Sequence, residues 1–117
     1  MFQQILDDAL SAVRGGRAAI FLDGDGEAIA QAGDHSADIQ FLAAWKEIHL
    51  DHIRQIAGSI GMGTVHAVLF SLDEGNELII PVDGEYCLVV FLSSYAQIQD
   101  ALAEMKKAAE LLQKEMG

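Results

Sequence analysis

The chain has 117 residues, 51% of them hydrophobic and 21% charged, with a single Pro; that is enough apolar material for one cored domain and too little length for two. Seven Lys and Arg against eighteen Asp and Glu leave a net charge of −11, which repels nucleic-acid phosphates and anionic lipid surfaces. A lone Cys87 rules out an intrachain disulfide framework and a cysteine-rich metal site, and the N-terminus has no signal-peptide pattern, so a cytoplasmic protein with no nucleic-acid partner and no membrane insertion is expected.

From Phe2 to Val13 the apolar residues fall on one helical face, and Gly15-Gly16 stops the helix. Arg17 to Leu22 is a run of strand length, Asp23-Gly24-Asp25-Gly26 is turn chemistry, and Glu27 to Ala32 alternates weakly, so a hairpin follows. Ser36 or Asp34 is placed to cap a second helix running to about Ala57, followed by a Gly61-Met62-Gly63 connector. Thr64 to Leu72, Glu77 to Val82 and Glu85 to Leu92 read as three further strands, the last two joined at Asp83-Gly84. Ser93-Ser94 is expected to cap a last helix in which Ile98, Leu102, Met105, Ala109, Leu112 and Met116 recur at helical steps. The order α-β-β-α-β-β-β-α predicts an α+β domain, one mostly antiparallel sheet with helices packed on its faces.

The second helix carries more apolar residues than one buried stripe requires: Ile39, Phe41, Leu42, Trp45, Ile48, Leu50, Ile53 and Ile56 among them. One face buries on its own sheet; the rest needs another partner, and an oligomer interface anchored by Trp45 is the expectation.

Chemistry-bearing motifs are sparse. Asp23 to Asp34 begins like a calcium loop but has Ala28 where Gly is needed and Asp34 where Glu is needed, so the turn reading stands. His49 and His52 lie three apart with no third ligand indicated, Cys87 sits in an apolar strand, and Ser71, Ser93 and Ser94 lack a nucleophile elbow. The glycine cluster Gly58 to Gly63 follows a helix and precedes a strand, the reverse of a phosphate loop. Neither enzyme activity nor a cofactor is expected.

Several ordered features belong together: Val13-Arg14-Gly15-Gly16, the strand Ala18 to Asp23, Gly24-Asp25-Gly26-Glu27 with Ile29-Ala30, and Ile79-Ile80-Pro81-Val82-Asp83-Gly84 running on to Val90. In these the chain resembles the Roadblock and dynein light chain family, including its bacterial members of the gliding-polarity type, over nearly its whole length. Where that family often places a Gly and a basic residue after the fifth strand, this chain has Ser93-Ser94-Tyr95. The resemblance implies a Roadblock/profilin-like fold: a five-stranded antiparallel sheet with the second helix on one face and the first and third on the other. It also implies a dimer, with itself or a related Roadblock chain, in which the third strands pair edge to edge and the second helices pack together. Phe41, Trp45, Ile48, His52, Val65, Ala67 and Leu69 are the interface residues expected on that basis. Family members serve as platforms for Ras-like small GTPases, and some bacterial ones stimulate hydrolysis. Lys46, His49 and Arg54 are the residues expected to meet such a GTPase, with no catalytic residue supplied. The alternative is a structural dimerisation adaptor of a larger assembly, without a nucleotide-dependent partner.

Overall fold

The computed structural model describes the backbone of residues 1–117 and all side chains except those of residues 37–38, 40–42 and 44–48. Its elements are α1 (Phe2–Ser11), β1 (Gly16–Leu22), β2 (Ala28–Gly33), α2 (Ala37–Ser59), β3 (Val68–Leu72), β4 (Gly75–Asp83), β5 (Tyr86–Leu92) and α3 (Ile98–Met116). The five strands form one antiparallel sheet in the order β2-β1-β5-β4-β3.

The two central strands explain their own sequences. Residues 18–22 of β1 and 87–92 of β5 are all buried, because helices cover both faces of the sheet there; such strands read as unbroken apolar runs and not as alternation. Ala19, Phe21, Leu88, Val90 and Leu92 face α1 and α3. Ala18, Ile20, Cys87, Val89 and Phe91 face α2.

On the first face, α3 buries Ala101, Met105, Ala108, Ala109 and Leu112, a single stripe at three and four residue steps. α1 adds Leu6 and Ala9, and Phe2 meets the Phe21 ring at 5.2 Å. Full burial of each large apolar side chain here stabilises the fold by about 1.5–3 kcal/mol. On the second face α2 stands alone, with Ala43 and Leu50, two helical turns apart, fully buried.

The turns follow their residues. Asp23 Oδ1 accepts the amides of Asp25 and Glu27, at 2.9 and 3.0 Å, and Gly26 takes φ +80°, so the acidic run closes the β1–β2 hairpin on its own backbone. Of the two expected capping residues Ser36 caps α2 by accepting the Ile39 amide, while Asp34 accepts the amide of Ser36 itself and shapes the turn before the helix.

Several boundaries differ from those the sequence suggests. β3 starts at Val68, not Thr64. Continuing its register with β4 (Val68 opposite Ile79) would put His66 opposite Pro81, which has no N–H to donate, so the ladder stops. Ser93-Ser94 does not cap α3: the Ser93 amide bonds to the Gly15 carbonyl at 2.7 Å, and the helix begins at Ile98 after Gln97 with no side-chain cap. β4 opens two residues earlier, at Gly75, and the β4–β5 turn is Gly84-Glu85, because Asp83 pairs with Tyr86. α1 ends at Ser11, two residues short of Val13, and α2 runs on to Ser59.

Candidate interaction surface

The sheet has two outer strands, β2 and β3, and their exposed edges differ. In β2, Asp34 N–H bonds to the Arg17 carbonyl at 3.0 Å; alternation then turns Ala32 and Ala30 toward β1 and the backbone groups of Gln31 outward. That outward carbonyl accepts a 2.7 Å bond from Gln3 Nε2 of α1, and the Gln31 side chain donates to the Asp34 carbonyl at 2.6 Å. The middle of the β2 edge, at the Gln31 carbonyl, is thus occupied by one of the protein's own side-chain amides.

Among the described residues the β3 edge has no such cover. The two-residue turn Asp73-Glu74 makes Leu72 and Gly75 the first hydrogen-bonded pair, so the N–H and C=O of Leu69 and Ser71 point away from β4. Among the described residues no strand lies beyond them. Leu69 and Leu72 are 45% and 54% exposed on this strand, while Val68 and Phe70 pack toward α2. An unpaired edge with apolar side chains is a template for a further strand.

Beside that edge lies α2, 23 residues and about 35 Å long. Its direction is fixed by two contacts. Ile39, near its N-terminus, lines a cavity with Leu72, Gly75 and Asn76 at the β3–β4 turn. Arg54, about three-quarters of the way along, donates from Nη1 to the Gly84 carbonyl at 2.9 Å, at the opposite end of β4. The same guanidinium lies 3.6 Å from the Asp51 carboxylate, its side chain 29% exposed. Gly84-Glu85 in turn packs on the β1–β2 hairpin, since a Cβ on Gly24 would fall on the Glu85 carboxylate. Arg54 therefore ties α2 to the paired hairpin tips.

The expected interface residues divide as follows. His52 is exposed on α2 and Leu69 on β3. Val65 and Ala67 precede β3 instead of lying in it; Val65 packs partly against the α2 side of the core and Ala67 against the α1/α3 side. The side chains of Phe41, Trp45 and Ile48 lie outside the described residues. Of the residues expected to meet a GTPase, His49 is exposed, Arg54 is held as above, and the Lys46 side chain lies outside the described residues.

Two features escaped the sequence reading. Ile56, Ile60 and Met62, 60%, 66% and 75% exposed, form an apolar patch at the C-terminal end of α2 and in the connector beyond it. Ile56 was legible within the surplus apolar surface of the helix; the other two had been absorbed into a glycine-rich connector. Glu77 is fully buried on β4, opposite Phe70 and Phe91 on the α2 side, a position that its strand's apolar neighbours gave no reason to single out. Among the described residues no helix is long and apolar enough to cross a membrane, and no three His, Cys, Asp or Glu side chains gather as a metal site.

No protein-family model and no curated protein sequence matches the chain. Solved structures do. A Roadblock/LC7 domain from Streptomyces avermitilis superposes with a TM-score of 0.89 at 18% identity, covering 97% of this chain and 96% of that one. Myxococcus xanthus MglB gives 0.88 at 18% identity, covering 98% and 94%. A structure of MglB with tetrameric arrangement gives 0.86 at 17% identity, covering 97% and 85%. The element order, the five-stranded antiparallel sheet and the placement of α2 opposite α1 and α3 are those the resemblance implied, and this chain has the Roadblock/LC7 fold.

Proposed function

We propose that this protein is a homodimeric, non-enzymatic regulatory platform that binds a Ras-like small GTPase. The observation that supports the dimer most directly is the uncovered β3 edge lying beside α2. Pairing β3 with β3 of a second copy satisfies the outward groups of Leu69 and Ser71 and extends the sheet across a two-fold axis. The same operation lays the two α2 helices side by side, where the apolar surplus of Phe41, Trp45 and Ile48 and the exposed His52 belong to the seam. MglB in a tetrameric arrangement supports self-association of this fold.

The paired α2 helices form the surface offered to the GTPase. Lys46 and His49 meet it directly, and Arg54 does so with the guanidinium donors left over from its bond to Gly84. No residue here is assigned to catalysis; any stimulation of hydrolysis acts by repositioning the GTPase's own groups.

Affinity capture from the native cytosol, run in parallel with GDP and with a non-hydrolysable GTP analogue, tests the reading. Enrichment of a Ras-like GTPase in the GTP-analogue arm, lost on replacing Lys46, His49 and Arg54 together with Ala at unchanged dimer mass, is the expected result. Equal capture of the same non-GTPase proteins in both arms overturns it in favour of a structural adaptor, because a scaffold has no reason to sense the γ-phosphate.

A further inference from the structure

The Ile56, Ile60 and Met62 patch and the cavity at the β3–β4 turn lie at opposite ends of the same face, and a two-fold axis through β3 brings one to the other. The cavity, about 180 Å³, is walled by Ile39 of α2, Leu72 of β3 and Phe91 of β5, with Arg17, Glu74, Asn76 and Glu77 as its polar lining. A space of about 150 Å³ is enough to take up benzene, so this one accepts a large apolar side chain. It lies at the end of β3 that carries Leu72, near the N-terminus of α2. The patch lies at the other end, where α2 stops at Ser59 and the connector descends to Val68. Val65 packs against the α2 side of the core, whereas His66 and Ala67 lie toward α3, so the connector leaves α2 on that helix's side of the sheet and crosses the sheet edge just before β3.

Antiparallel pairing of β3 with its copy sets the Leu72 end of one strand beside the Val68 end of the other. We infer that Met62 of each protomer inserts into the Ile39, Leu72 and Phe91 cavity of its partner, with Ile60 covering the mouth and Ile56 packing along the N-terminal half of the partner's α2. This rests on the dimer reading above and specifies it: the interface becomes two reciprocal plugs flanking a central strand pair. Methionine suits the role, since its unbranched thioether fills irregular apolar space. The inference also accounts for three large apolar side chains, each at least 60% exposed, within seven residues of a strongly charged chain.

The test is disulfide trapping in mixtures of cysteine variants, with sedimentation to read the mass. Met62→Cys and Leu72→Cys proteins, mixed and oxidised, are expected to give a crosslinked dimer that neither yields alone. Cysteines within β3, Leu69→Cys alone or mixed with Ser71→Cys, report the strand pairing separately. In parallel, Met62→Glu is expected to raise the dimer dissociation constant at least tenfold, and Met62→Leu to leave it within about threefold. A β3 crosslink without a Met62–Leu72 crosslink, or a Met62→Glu dimer of unchanged affinity, overturns the plug and leaves the strand-paired dimer standing. A monomeric mass for the unmodified protein, with no β3 crosslink, overturns both.

Discussion

β2 and β3 close the same sheet at opposite ends, and the chain treats them as different kinds of surface. At β2 the outward carbonyl of Gln31 is bonded by Gln3, the Gln31 side chain turns back on Asp34, and α1 packs alongside. At β3 the strand is five residues long, exposes Leu69 and Leu72, and is followed by a turn bearing Asp73 and Glu74. The lesson is that a sheet edge becomes an interface through what is withheld from it. Two side-chain amides bond carbonyls at one edge, and among the described residues no comparable group reaches the other. In the proposed dimer the two β3 edges satisfy each other, so pairing through them closes at two copies instead of propagating into a fibre.

Substitutions can break this contrast at graded cost. The largest effect is expected from Leu69→Pro, which removes an outward amide while leaving the bonds of β3 to β4 in place. The dimer dissociation constant should rise at least a hundredfold, a loss of about 2.7 kcal/mol, read by sedimentation at several concentrations. An unchanged constant would mean that the strand edge carries no part of the association.

Gly33→Ala attacks the closed side. Gly33 has φ +83°, and a Cβ there would fall on the Arg17 carbonyl, so backbone strain and a steric clash add. Denaturant unfolding should show a stability loss of about 2 kcal/mol or more, with the strand-paired dimer retained wherever the protein stays folded. Arg54→Met is expected to cost about 1 kcal/mol by freeing the Gly84 carbonyl of its partner at a partly exposed site. If Arg54 serves only to contact a GTPase, thermal unfolding of the isolated protein will not register the change. Gln3→Ala should have the smallest effect, about 0.5–1 kcal/mol in stability, and no change in mass, since α1 still shields β2. Growth to species beyond the dimer would show that the Gln3 bond by itself keeps that edge closed.

How much of this was legible in the sequence follows from the range of the interactions involved. The elements were legible because helical periodicity and Gly, Asp and Ser punctuation are local signals; Ser36 caps α2 as its position suggests. The start of β3 was not. Thr64 and Val65 have strand propensity, but the ladder depends on what stands opposite, and Pro81 is fifteen residues beyond His66. Ser93-Ser94 looks like a helix cap for the same reason that it is not one: its backbone is claimed by Gly15, far away in the chain. Of the candidate surface, the apolar surplus of α2 was readable as an amount and not as a place. Composition counts Ile56 with Leu50, whereas the fold buries one and exposes the other. Arg54 was readable as a cation on the helix, and its bond to Gly84 was not, because the turn that receives it is thirty residues on.

The central claim, that the β3 edge is the association surface, is tested most directly by amide hydrogen exchange at Leu69 and Ser71 as the protein is diluted. The account predicts slow exchange at both amides while the sedimenting mass is twice the 12.6 kDa of the chain, and fast exchange once dilution produces monomer, with the β4–β5 ladder unaffected. Fast exchange at Leu69 and Ser71 in a sample of dimer mass would contradict it and move the interface to another surface.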